Sequence, residues 1–258
     1  PVAQLSLLRD NLLPDADAEA GYMVTSGGRW LDNTKENGGK AWASPFSDVT
    51  VQYLKDITAE VTAAGFSQIW CTDVVFPDFR NSDLTYIGES VQNPERKTAL
   101  TSLVNTLAQT AGSVPLWVET SAADAAAGTA EVFDPENLTV SGVVLDLQAD
   151  AGQAQAILPQ IQAKTAEMPL CLTAEISGAP AEELQTLRSA ADNGVSAVVL
   201  TEKDVKNAGM DGVFADEFRG AYEGICRLIE KGCKRIGIAV GQMENDAATE
   251  ERYRGCVQ

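Results

Sequence analysis

The chain has 258 residues, 45% of them hydrophobic, which suffices for a sizeable core in one large α/β domain or two small ones. Lys plus Arg number 19 against 37 for Asp plus Glu, a formal charge of −18 whose field repels phosphate backbones and anionic lipid headgroups, so no nucleic-acid or membrane partner is expected. Histidine is absent, which excludes Ser-His-Asp triads, Cys-His dyads and His-rich zinc sites; neither metal nor cofactor is expected, and carboxylates are left to carry acid–base chemistry.

The opening "PVAQLSLL" reads as the inside of a strand over Ala3–Leu8, so any leader or preceding domain is expected to lie outside this sequence, and the compartment stays open. A polar, glycine-rich stretch, "SGGRWLDNTKENGGKAW", follows. Next come a helix over Ser47–Ala64 closed by Gly65, a strand over Gln68–Val75, a helix over Pro94–Thr110 and a strand over Leu116–Glu119. The alanine-heavy Ser121–Phe133 reads as a short helix. Strands at Gly142–Leu147, Leu170–Glu175 and Ala197–Leu200 alternate with helices at Gln153–Ala166 and Ala181–Asn193. The last elements are a strand at Val213–Ala215, a helix at Arg219–Lys231 and a strand at Arg235–Val240. Repeated βα units with near-continuous apolar strands predict an α/β fold with a parallel sheet, open or closed into a barrel. No run approaches the roughly 20 apolar residues of a membrane span. Five cysteines without a CxxC pair read as structural or incidental.

Four of these strands finish in or near an acid: "IWCTD" at Asp73, "PLWVE" at Glu119, "VVLD" at Asp146 and "LCLTAE" at Glu175. In parallel α/β folds the C-terminal strand ends face the active site, so the four are expected to converge. Glycosidic cleavage needs such a cluster: one carboxylate to attack or stabilise the oxocarbenium-like centre, another with a raised pKa to protonate the leaving oxygen. The competing reading is that these acids cap helices or bind loop amides. Trp30 and Trp42, in the polar stretch rather than on an apolar face, are either platforms for sugar rings or staples for their loop. Asp32 is either a partner for hydroxyls or an ordinary turn residue.

The segment "KAWASPFSDVTVQYLKDITAEVTAAGFSQIWCTDVVFPDF", with "AQLSLLRDNLLPD", "GGRWLDNTKENGGKAW" and "PLWVETSAAD", resembles a family of glycoside hydrolases related to the α-amylase-type barrels over about residues 1–120. The resemblance implies that Asp73 holds the fourth-strand position of the catalytic aspartate and Glu119 the fifth-strand position of the acid/base, a retaining-type pair. Trp30, Asp32, Trp42, Asp146 and Glu175 would then bind substrate. Val75 departs from the family, which usually has arginine there, and Thr72 and Val74 replace an aromatic-flanked context. A second stretch, including "RGAYEGICRLIEKGCKRIGIAVG" and "ERYRG", is similar to part of the effector-binding domain of lac-repressor-type regulators and periplasmic sugar-binding proteins, over about 198–258.

Together these give one expectation: a single (βα)8 TIM-barrel-like domain over 1–258. Its six hydrolase-like strands, in residues 1–197, are completed by a regulator-like βαβ unit in 198–258, as a natural fusion or an engineered chimera. Two functions follow, a carbohydrate-active hydrolase, active or inactive, and a non-catalytic scaffold or sugar-binding module. Carbohydrate is the expected ligand of both; the oligomeric state is not specified.

Overall fold

The computed structural model describes residues 1–80, 95–148, 151–165, 168–175, 180–201, 211–214, 217–238 and 247–257. The chain is α/β and divides into two compact units, Pro1–Asp146 with Ala156–Cys171, and Leu147–Gln155 with Leu172–Gln258. In chain order the elements are β1 (Val2–Ser6), α1 (Leu12–Ala16), α2 (Asp48–Ala63), β2 (Gln68–Thr72), α3 (Arg96–Ala111), β3 (Leu116–Ser121), α4 (Ala122–Ala127) and β4 (Gly142–Asp146). They continue with α5 (Ala154–Gln162), β5 (Leu170–Glu175), α6 (Pro180–Asp192), β6 (Ser196–Thr201), β7 (Asp211–Phe214), α7 (Glu217–Glu230) and α8 (Ala247–Val257).

β1 to β5 form a five-stranded parallel sheet in chain order, as βα repeats with near-continuous apolar strands require. The local signals act where they stand: Ser47 caps α2 by accepting the Thr50 N–H, and Gly65, at φ 84°, turns the chain into β2. Register settles the faces. Ala3 lies beside Ile69, Ile69 beside Leu116, Cys71 beside Val118 and Val118 beside Val143. These are buried with Leu54 of α2 and Leu100, Leu103, Val104 and Leu107 of α3, helices that pack on one another, α3 also on β3. Because side chains alternate, the opposite face carries a layer of Gln4, Trp70, Trp117 and Gly142, and above it Ser6, Thr72, Glu119 and Val144.

Strand ends differ from the expected ones for a backbone reason. β2 stops at Thr72 rather than Val75 because Asp73 adopts φ 52°, a left-handed conformation that Asp tolerates but a strand does not. β3 runs two residues past Glu119, since Thr120 and Ser121 still pair with Leu145 and Asp146. β1 is regular only to Ser6, although Leu7 and Leu8 go on donating to the carbonyls of Thr72 and Asp73 at 3.0 and 3.3 Å.

In the second unit, the remainder of β5 is followed in strand order by β6 and β7, and β7 pairs in parallel with β6, Val213 beside Leu200. The expected eighth strand, Arg235–Val240, is not formed over 235–238, where Ile238 is exposed; Ala215, Ala239 and Val240 lie outside the described residues. The apolar alternation of "RIGI" forms no ladder over 235–238, and alternation that stays unpaired makes no strand. α8, which the sequence did not announce, packs on α7: Arg252 forks onto both Glu217 oxygens, Nη2 to Oε1 at 2.9 Å, and a Cβ on Gly255 would meet the Phe218 carbonyl oxygen at 2.2 Å.

Gly142 makes room for the Trp117 ring, because a Cβ there would stand 2.4 Å from the ring edge and 2.7 Å from the Pro169 carbonyl oxygen. Gly142→Ala is therefore expected to cost about 1–3 kcal/mol, the usual cost of overpacking, read as a lower denaturant midpoint with unchanged slope.

Candidate active site

The carboxylates of Asp73, Glu119 and Asp146 belong to the C-terminal ends of adjacent strands β2, β3 and β4. Each is held differently. Asp73 turns off the strand line through its left-handed φ, and its Oδ2 accepts the Ser6 hydroxyl at 2.7 Å, so the end of β1 orients the acid at the end of β2. Asp146 is the last residue of β4, in register with Ser121. Glu119, paired with Val144, sits one layer deeper, above the indoles of Trp70 and Trp117 and beside the buried Val144 side chain. Ser121, at the rim, is committed to capping α4, where its hydroxyl accepts the Asp124 N–H at 3.3 Å.

Depth explains the electrostatics. Burial, followed by the negative charges of Asp146 and then Asp73, pushes the Glu119 carboxyl from its ordinary 4.5 up to about 7. The Trp70 indole pulls the other way: it lies near enough to favour the carboxylate, yet its Nε1, buried, completes no hydrogen bond of normal geometry. Trp117 Nε1 is likewise buried without an acceptor. A carboxyl pushed up to about 7 gains and loses its proton near neutrality, as a general acid must.

The remaining residues singled out in the sequence divide by burial. Trp30 is 3% exposed and packed in an aromatic cluster, its centroid 4.8 Å from Phe79 and 6.1 Å from Tyr22, surroundings that suit a staple. Asp32 spends both oxygens inside its loop, Oδ1 accepting the Lys40 N–H at 2.7 Å and Oδ2 the Trp42 Nε1–H at 3.1 Å. Trp42, half-buried, has the exposed Arg9 guanidinium 5.6 Å over its ring. Glu175 ends β5, but its side chain lies outside the description. Val75, where the family resemblance led one to expect arginine, is 42% exposed. A cation does stand beside that segment: Arg96, at the start of α3, lies 5.0 Å over Phe76 and 5.4 Å over Phe79.

Ser6, Trp70 and Trp117 were missed in the sequence. The polar alternation of Gln4 and Ser6, and a tryptophan two residues before both Thr72 and Glu119, were the available signals. Among the described residues no group of three or more His, Cys, Asp or Glu is placed to hold a metal ion, and no helix is long and apolar enough to cross a membrane.

No family model and no curated protein matches the chain. Among solved structures it is similar to the glycoside hydrolase domain of PelA from Pseudomonas aeruginosa, at 17% identity over 83% of this chain and 82% of that one, with a TM-score of 0.49. It is also similar to Ega3 from Aspergillus fumigatus, solved in complex with galactosamine, at 13% identity over 83% and 73% of the two chains, TM-score 0.41. A hypothetical protein from Ruminiclostridium thermocellum aligns at 20% identity over 45% of this chain, which spans 56% of that protein's length, TM-score 0.39. At such identities no residue role passes from these proteins to this one.

The raised Glu119 pKa fixes the sign of a stability effect. A carboxyl whose folded pKa exceeds its unfolded value contributes fully below 4.5, and that contribution is lost as the pH rises through about 7. Glu119→Gln, which cannot ionise, is expected to gain on the wild type across that window and to keep a constant advantage above it, measured as denaturation free energies at stepped pH.

Proposed function

We propose that this protein is a carbohydrate-active hydrolase of the retaining type, with Asp73 as nucleophile and Glu119 as acid/base. Glu119 gives its proton to the glycosidic oxygen as the bond from that oxygen to the anomeric carbon breaks and the Asp73 carboxylate bonds to the carbon. Water then attacks the same carbon, Glu119 takes back a proton, and Asp73 leaves as a carboxylate. The observation that carries the reading is the position of Glu119, one layer below Asp146 and Asp73 at adjacent strand ends, where burial and their charges push its carboxyl up to about 7. Asp73, oriented by Ser6, suits attack, and the charge of Asp146 helps keep the acid protonated between turnovers.

For substrate contacts the reading keeps Asp146, Glu175 and Trp42, with Asp32 holding Trp42 rather than touching sugar. A chain of charge −18 attracts cations, so saccharides bearing basic amino groups are favoured over uronic ones. The architecture that goes with this reading is the single barrel over 1–258 closed by residues 198–258; the parallel pairing of β7 on β6 supports it, and the absent strand over 235–238 does not. An exposed Val75 in place of the expected arginine favours a second reading, a sugar-binding module without turnover.

A screen of neutral, amino-bearing and uronic oligosaccharides with wild type, Asp73→Asn and Glu119→Gln separates the two. Hydrolysis with retained anomeric configuration is expected for the wild type, followed by proton NMR of the released sugar. Each substitution should reduce the rate by roughly 10³-fold or more, with Asp73→Asn near wild-type stability because Asn still accepts from Ser6. Binding without hydrolysis in all three proteins would establish the sugar-binding module instead.

A further inference from the structure

Two buried indole donors lie beneath the acid cluster, and the chemistry above makes use of neither. Trp70 is the more informative. Register puts it on the same sheet face as Glu119, beside Trp117 and one layer below the carboxyl. Its Nε1–H is buried and completes no hydrogen bond of normal geometry, although it lies near enough to Glu119 to favour the carboxylate, and a buried donor left open calls for a reason. An indole N–H is a donor only, so it binds a carboxylate strongly, the carbonyl oxygen of a carboxylic acid only weakly, and the acid's O–H not at all.

We propose that Trp70 is a proton-positioning residue for Glu119: its Nε1–H closes onto the carboxylate when Glu119 is ionised and opens when Glu119 takes up a proton. The donor then stabilises the form of Glu119 that appears after the proton has gone to the leaving oxygen, and leaves the protonated form free to face substrate. The charges acting on Glu119 are Asp73 at the end of β2 and Asp146 at the end of β4, both opposing ionisation. Trp70 is the opposing influence, and without it the acid would be held still more firmly in its protonated form. Gly142 adjoins this arrangement, since a Cβ there would collide with the Trp117 ring that lies beside Trp70 in register.

The inference rests on Glu119 as acid/base, but its test needs no substrate, so it stands or falls separately from hydrolysis. In protein labelled with nitrogen-15 the four tryptophans give four indole signals, and the Trp70 signal is the one lost in Trp70→Phe. It is expected to shift downfield as the pH rises through about 7, as a hydrogen bond to a carboxylate forms, and to stay still in Glu119→Gln. A carbon-13 titration of the Glu119 carboxyl should move to higher pH in Trp70→Phe. Should Trp70→Phe fail to fold, Glu119→Gln alone decides, because an indole signal that titrates in the wild type must stop titrating. A Trp70 signal that ignores pH over about two units either side of the midpoint, or that titrates unchanged in Glu119→Gln, would overturn the assignment.

Discussion

The parallel register of β1 to β4 is the constraint on which everything at the site depends. Setting Trp70 beside Trp117, and Trp117 beside Gly142, fixes the parity of every residue above them, so Ser6, Thr72, Glu119 and Val144 share one face while Ala3, Ile69, Val118 and Leu145 share the other. A slip of one residue would send Glu119 into the packed layer under α2 and α3, where an ionisable group has no partner. Gly142 is part of that register, because a larger residue at that level would collide with the Trp117 ring.

The carboxylates differ through depth rather than through composition. Asp73 and Asp146 stand at the last turn of their strands, and Asp73 has a hydroxyl to hold it. Glu119 lies lower because β3 continues two residues beyond it, and burial leads the causes that raise its pKa, with the neighbouring charges behind. The different surroundings of these acids therefore follow from where a strand stops, a difference of one layer in a ladder.

The tryptophan-bearing loop is organised around one acid. Asp32 binds the Lys40 amide and the Trp42 indole, Gly39 approaches the Asn33 carbonyl so closely that a Cβ would stand 2.0 Å from its oxygen, and Trp30 anchors the loop through Tyr22 and Phe79. Polar residues that read as ligand contacts are here spent on holding the loop's shape, which is how a stretch rich in Gly, Asn and Asp stays ordered without a core of its own.

By itself the sequence determined the alternation of strands and helices from β1 to β7, apart from the short α1, because apolar runs, Ser47 and Gly65 are local signals that the structure realises. It also put Asp73 and Asp146 at strand ends, but not Glu119, which the two further residues of β3 leave one layer deeper. It did not determine which aromatic is buried: Trp30 and Trp42 sit in the same polar stretch, and only packing against Phe79, nearly fifty residues away, separates them. The same limit applies to Ser6 and Asp73, joined across 67 residues, to Trp70 beneath Glu119, and to 235–238, whose alternation reads as a strand but is not one. Periodicity is written in neighbours along the chain. Burial, orientation and pKa are set by neighbours across the sheet, which exist only once the strands have paired.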